Sequence, residues 1–162
     1  MTDVCGEGDL SRREPDTQAL ETRTAGPAQV EVASEDRRVI GIVVAHGRLA
    51  HGLVSAVKRI AGGGAEILRP LSNEGLSPEE LCDRIEEMAA GHPTLVFSDL
   101  GTGSCGFAAH ACCRDNRARV AVGGVNLPML LTFVYAERDR PGEIARKMVE
   151  CGRDAISFGA GD

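Results

Sequence analysis

One histidine and one aspartate stand where a parallel β-sheet would hold chemistry. His46 ends the apolar run Val39-Ile40-Gly41-Ile42-Val43-Val44-Ala45 and precedes Gly47, so an imidazole sits where a buried strand breaks into a loop. Asp99 follows a second such run, at 94–98, and opens the loop Leu100-Gly101-Thr102-Gly103-Ser104. An imidazole attacks phosphorus well when one nitrogen keeps its lone pair and a carboxylate holds the hydrogen on the other, fixing the tautomer and stabilising the cation that forms. Free imidazole, with a pKa of about 6.5, is largely in that form at neutral pH. Thr102, Gly103 and Ser104 lead into a helix whose free N–H groups and positive dipole end bind a phosphate. Histidine, carboxylate and anion cradle together would serve phosphoryl transfer. Such transfer can rely on positioning and hydrogen bonds, so no metal and no cofactor is assigned. Taken singly, each residue also reads as an ordinary loop histidine, turn aspartate or helix cap.

Other residues carry less. His51 lies on the polar side of a helix and His92 precedes Pro93 in a connection, so both read as solvated. His110, Cys112 and Cys113, with Cys105 nearby, invite a zinc reading, but the paired C-x-x-C spacing is missing. Gly101-x-Gly103-x-x-Gly106 matches the dinucleotide fingerprint in form. It follows the third strand instead of the first, and no acid about 20 residues on meets a ribose. Phosphorylation of Asp99 itself would need an acidic magnesium site at the end of strand one, where this chain has His46.

The elements that must position His46 and Asp99 follow from the hydrophobic pattern. Strands are predicted at about 39–45, 65–69, 94–98 and 119–124, with amphipathic helices between them. The first helix presents Leu49, Leu53, Val57 and Ile60 on one face and stops at Gly62-Gly63-Gly64. Ser77, Pro78 and Glu80 form a capping box, Leu76 and Leu81 a hydrophobic staple, and Leu81, Ile85, Met88 and Ala89 the buried face of the second helix. A third helix begins near Ser104, a fourth near Leu127-Pro128, and Pro141-Gly142-Glu143 opens a last one. This alternation predicts an α/β fold with a doubly wound, mainly parallel sheet. With strand order 2-1-3-4 the winding reverses between strands one and three, and the crevice there brings His46 opposite Asp99.

Composition excludes several function classes. The 24 acids against 18 Lys and Arg, one Tyr and no Trp provide neither a phosphate-backbone footprint nor a base-stacking platform, so no nucleic-acid partner is expected. No stretch approaches the roughly 20 apolar residues of a spanning helix, and the amino terminus lacks signal-peptide features, which predicts a cytoplasmic protein without a transmembrane segment. In that compartment the six cysteines read as reduced thiols. Residues 1–38 hold nine acids, five arginines and few large apolar residues, the composition of a disordered acidic tail before a folded domain at 39–162.

From residue 39 to about 159 the chain resembles the mannose-type IIA component of the bacterial phosphoenolpyruvate-dependent sugar phosphotransferase system. The resemblance is carried by Ile42-Val43-Val44-Ala45-His46-Gly47, by Ser98-Asp99 with Gly103-Ser104 and Phe107-Ala108-Ala109, and by Gly124-Val125-Asn126-Leu127-Pro128-Met129-Leu130. It implies that His46 is transiently phosphorylated on Nε2 by the carrier HPr, that Asp99 orients it, that Ser104 opens the phosphate-binding helix, and that the phosphoryl group passes to a separate IIB component. It also implies a homodimer in which a short antiparallel strand, here Ala155 to Phe158, is exchanged between subunits. In the family a large residue and a proline are usual around the Gly-Gly-Ser of the third loop, where this chain has Gly101, Thr102 and Cys105. Two alternatives remain open at this point: a regulatory module switched by histidine phosphorylation without sugar transport, and a nucleotide- or phosphate-binding domain built on residues 101–106.

Overall fold

In the computed structural model, which describes residues 38–136 and 139–161, the first apolar run becomes β1 (Ile40–Ala45), buried along its whole length. The tail expected at 1–38 lies outside these residues except for Arg38. After β1 come α1 (Leu49–Ala61), a single 3₁₀ turn (Ala65–Ile67), β2 (Leu68–Ser72), α2 (Pro78–Ala89) and β3 (Thr94–Ser98). Then follow α3 (Gly103–Cys113), β4 (Arg119–Gly123), α4 (Leu127–Tyr135) and α5 (Pro141–Asp154). The four strands are parallel in the order β2-β1-β3-β4, as expected.

The period-two alternation of side chains divides the core into two layers. Val43 and Ala45 of β1, with Leu95 and Phe97 of β3, point toward α1, α4 and α5, where Ala50, Val54, Leu130, Phe133, Ile144 and Met148 meet them. Ile42, Val44 and Val96 point the other way, onto Leu81 and Ile85 of α2 and Ala108 and Ala109 of α3. Gly41 is the gap in the β1 run because a Cβ there would stand 2.7 Å from Leu68, 2.8 Å from Phe133 and 3.0 Å from Phe97. Its absence lets Phe97 and Phe133 meet edge to face, with centroids 5.6 Å apart, an arrangement favoured by the ring quadrupoles.

Three expectations need correction. The second strand runs from Leu68 to Ser72, three residues later than predicted, and includes Pro70. Proline ends an internal strand, but among the described residues β2 pairs only with β1, and the missing N–H costs no ladder bond on its outer side. Second, α1 is turned by about one residue: Ala50, Val54 and Val57 are buried, whereas Leu49 is 48% and Ile60 58% exposed. Both sets have helical spacing, and the smaller side chains are the ones that let α1 lie close against the sheet. Third, not all cysteines are free. Cys82 of α2 and Cys112 of α3 are paired, their Cα atoms 5.7 Å apart, a normal separation for a disulfide.

The second helix is built as expected. Ser77 accepts the Glu80 N–H through its hydroxyl, Glu80 accepts the Ser77 N–H in return, and Leu76 packs into the same apolar layer as Leu81. Beyond Asp154 the residues to Gly161 have no regular structure, and Ile156 and Phe158 are 76% and 94% exposed.

Candidate functional site

Parallel register is what assembles the site. Ala45 lies opposite Ser72, Val44 opposite Ser98, and Ser98 opposite Gly123, so all four strands end along one edge and their following loops emerge side by side. His46 and Asp99, 53 positions apart in sequence, meet there. Asp99 Oδ2 accepts two hydrogen bonds from one residue, from the backbone N–H of His46 at 3.0 Å and from its ring Nδ1 at 2.8 Å. Oδ1 accepts the Leu100 N–H at 2.9 Å. Partial burial opposes the charge on Asp99, but the donated His46 backbone and ring hydrogens and the Leu100 amide outweigh it, and its carboxyl lies below the usual value.

The paired geometry leaves one nitrogen free. With Nδ1 donating to a carboxylate, the neutral ring carries its lone pair on Nε2. The His46 side chain is 49% exposed while that of Asp99 is 11% exposed, so the orienting group is sheltered and the ring reaches solvent. Two grooves elsewhere, one between α4 and α5 and one along β4 and α5, include neither His46 nor Asp99.

The third loop brings the amino end of α3 beside the ring. Thr102 takes the cap position in an extended conformation (φ −118°, ψ 168°), yet its side chain makes no capping hydrogen bond and no acid occupies the first turn. Gly103 follows at φ +85°, a conformation that favours glycine. Thr102 and Gly103 are exposed and Ser104 is half-buried. Behind them Cys105 is fully buried, with its sulfur 3.9 Å from His46 Nδ1. Burial and the Asp99 charge push its thiol pKa up, against a hydrogen bond from the Ser104 side chain that pulls it down.

The glycines that resemble a nucleotide fingerprint have a packing role instead. A Cβ on Gly106 would stand 2.7 Å from the backbone of Gly101, and one on Gly123 would stand 2.5 Å from the Gly101 Cα. The loop after β3, the first turns of α3 and the end of β4 are thus in backbone contact, which holds the loop that bears Asp99 and Thr102. His51 is exposed, as expected; His92 is half-buried instead of solvated. His110 is exposed and Cys112 is paired with Cys82, so the zinc reading built on them does not form.

Two residues of this region escape a linear reading. Asn73, directly after β2, accepts the Gly47 N–H at 3.3 Å through its side chain and donates its own N–H to the Ala45 carbonyl at 3.2 Å, bracing the His46 loop. Its only sequence signal is a polar residue at a strand's carboxyl end. Cys105 is the other, since its sulfur meets the ring from 59 positions away. Asn126 holds the adjoining helices: its side chain accepts the Met129 N–H at 3.1 Å and donates to the Gly152 carbonyl at 3.0 Å, fixing α4 against α5.

Comparison with known proteins agrees with this architecture. The mannose/sorbose specific IIA subunit of the phosphotransferase system from Enterococcus faecalis superposes with a TM-score of 0.68 at 22% identity, over 77% of this chain and 97% of that one. The phosphotransferase system component EIIA from Streptococcus agalactiae gives 0.69 at 21%, over 75% and 97%. A IIA protein associated with the fucose utilization operon of Streptococcus pneumoniae gives 0.65 at 17%, over 75% and 93%. No curated protein matches the chain significantly. The family model described as the PTS system fructose IIA component matches residues 41–149, most of the folded region, and the chain belongs to that family.

Proposed function

We propose that the chain is a phosphoryl carrier whose His46 receives a phosphoryl group on Nε2 from phosphorylated HPr and passes it to a IIB component. The observation that carries this reading is the hydrogen bond from His46 Nδ1 to Asp99 Oδ2 at 2.8 Å, which leaves the lone pair on the exposed nitrogen. In the transfer, the Nε2 lone pair forms a bond to phosphorus as the bond from phosphorus to the donor breaks and its electron pair returns to the donor. The ring becomes cationic while phosphorylated, and the Asp99 carboxylate stabilises it. Thr102, Gly103 and Ser104, at the uncapped amino end of α3, receive the phosphoryl oxygens.

The open setting of the ring supports protein partners over a small-molecule substrate. A small ligand is held in a concave site that buries most of its surface, whereas the His46 side chain is 49% exposed. Leu49, Leu100 and Phe107 are exposed apolar residues, and their elements border the two loops, which suits a protein surface. Such partners place the reaction in the cytosol. Among the described residues no helix is long and apolar enough to cross a membrane. The proposed homodimer is supported by an outer edge on β4 that no strand covers among the described residues and by an exposed segment, Ala155 to Phe158, that could pair with the β4 of a second copy.

Incubating the protein with phosphoenolpyruvate, enzyme I and HPr tests the proposal. One acid-labile phosphoryl group per chain is expected on the wild type and none on His46→Ala, and addition of a IIB component should discharge it. Equal incorporation into the alanine variant would reject His46 as the acceptor.

A further inference from the structure

Sequence reasoning groups Cys105 with His110, Cys112 and Cys113, but the fold puts its sulfur at the candidate site instead. One donor atom each from His46, Asp99 and Cys105 lies within 4.8 Å of the other two, the only such group among the described residues. A tetrahedral zinc site, with bonds of about 2.0–2.2 Å to nitrogen and oxygen and about 2.3 Å to sulfur, has ligand-to-ligand edges of roughly 3.3–3.7 Å. The observed Nδ1 to Oδ2 and Nδ1 to Sγ separations, 2.8 and 3.9 Å, lie on either side of that range and the third edge is within 4.8 Å, so shifts of up to about an ångström would seat an ion. The mixed nitrogen, oxygen and sulfur set suits zinc or cobalt over magnesium or calcium. Solvent can supply a fourth ligand, because the ring is half exposed.

We propose that His46, Asp99 and Cys105 bind one thiophilic divalent cation of the zinc type, and that occupation of this site blocks phosphoryl acceptance by His46. The second half of this statement rests on the proposed function. The block follows from the ring's hydrogen count. In the metal-free protein the hydrogen sits on Nδ1 and the lone pair on Nε2. A cation on Nδ1 takes that nitrogen's electron pair, and a neutral ring then carries its hydrogen on Nε2, where phosphorus would have to bind. The Cys105 thiol releases one proton to solvent as its sulfur binds the ion. Asp99 exchanges a hydrogen bond for a metal bond through the same oxygen. The converse also holds: a phosphoryl group on Nε2 leaves the hydrogen on Nδ1 facing Asp99, and the cation has no nitrogen to bind. Metal and phosphoryl group therefore compete for one ring without touching the same atom.

Titration of the full-length, reduced protein with Co²⁺ tests the site. One equivalent should produce a sulfur-to-cobalt charge-transfer band in the near ultraviolet, which Zn²⁺ abolishes by displacement. The band should disappear in Cys105→Ser and in His46→Gln, the latter a change at an exposed ring, with affinity lowered at least about tenfold in each. Absence of the band in the wild type, or an undiminished band in either variant, would overturn the site. For the competition, Zn²⁺ should halt phosphorylation of the wild type by the carrier mixture while leaving Cys105→Ser close to its metal-free rate. Equal inhibition of both proteins would overturn the block. A protein that shows the cobalt band but takes no phosphoryl group even under chelation would remove the function and the block together, leaving the metal site established.

Discussion

The amino ends of α2 and α3 begin alike and are finished differently. Each helix lies on the same face of the sheet and follows an extended cap residue with a hydroxyl side chain, Ser77 for α2 and Thr102 for α3. Ser77 and Glu80 bond to each other's backbone amides, Pro78 removes a third donor, and two acids occupy the first turn of α2. Thr102 makes no capping bond, Gly103 follows at positive φ, and the first turn of α3 has no acid. The α2 end is complete without any other molecule. The α3 end, under the proposed function, keeps donors and a positive dipole for the phosphoryl group, beside the ring that Asp99 orients. On that proposal, a helix terminus left without a side-chain cap beside His46 is a working end, and the closed terminus of α2 a structural one.

The sharpest way to break this contrast is to disturb the ring on which the α3 end depends. Asp99→Asn should retain the fold but slow phosphoryl acceptance by roughly 10²- to 10⁴-fold, since an amide cannot hold the Nδ1 hydrogen in the same way or stabilise the cation. Single-turnover transfer from phosphorylated HPr measures it, and a wild-type rate would remove Asp99 from the mechanism. Gly123→Ala comes next. Its methyl would collide with the Gly101 backbone, so a loss of about 1–3 kcal/mol in denaturant unfolding is expected, together with slower transfer as the Asp99 loop shifts.

Filling the open end tests the comparison from the other side. Thr102→Asp supplies a capping carboxylate, which should stabilise the protein by about 0.5–1 kcal/mol and slow acceptance by about tenfold through competition for the same amides. Stabilisation without slower transfer would mean that these amides do not receive phosphate. Ser77→Ala is the matching control on α2. It should cost about 1 kcal/mol, or roughly 4 °C in Tm, and leave transfer unchanged.

The smallest effect is on pH dependence. Asp99 and Glu86 both titrate below the usual carboxylate value when folded, Glu86 because Arg119 donates to it across α2 and β4. Each binds a proton more weakly folded than unfolded. Their stabilisation is therefore present above about pH 4 and lost as the pH falls through the lower folded values. Thermal unfolding of Asp99→Asn and Glu86→Gln should show a shallower acid limb than the wild type, and an unaltered limb in both would contradict these assignments.

What could be read from the sequence was whatever repeats along it or ends an element. The apolar runs at 39–45, 94–98 and 119–124, the Ser77-Pro78-Glu80 start and the glycine and proline stops located the α-helices and every strand but β2, and parallel-sheet logic then placed His46 opposite Asp99. Three-dimensional selection between equivalent patterns could not be read. The 49-53-57-60 and 50-54-57 stripes of α1 both fit a helix, and only the closeness of sheet and helix favours Ala50 and Val54. The shift of β2 to Leu68–Ser72, across Pro70, also could not be read, because only its place at the sheet edge lets a strand include that proline. Cys105 and Asn73 are polar or small residues whose partners lie 59 and 26 positions away, so local spacing carries no trace of those contacts.

The orientation of one imidazole decides the whole account, and ¹H–¹⁵N correlation spectra of the His46 ring nitrogens read it directly. Metal-free protein should show the hydrogen on Nδ1 and a lone pair on Nε2, and after treatment with phosphorylated HPr the phosphorus coupling should appear on Nε2. A hydrogen on Nε2 in the free protein, or phosphorus on Nδ1 after transfer, would contradict it.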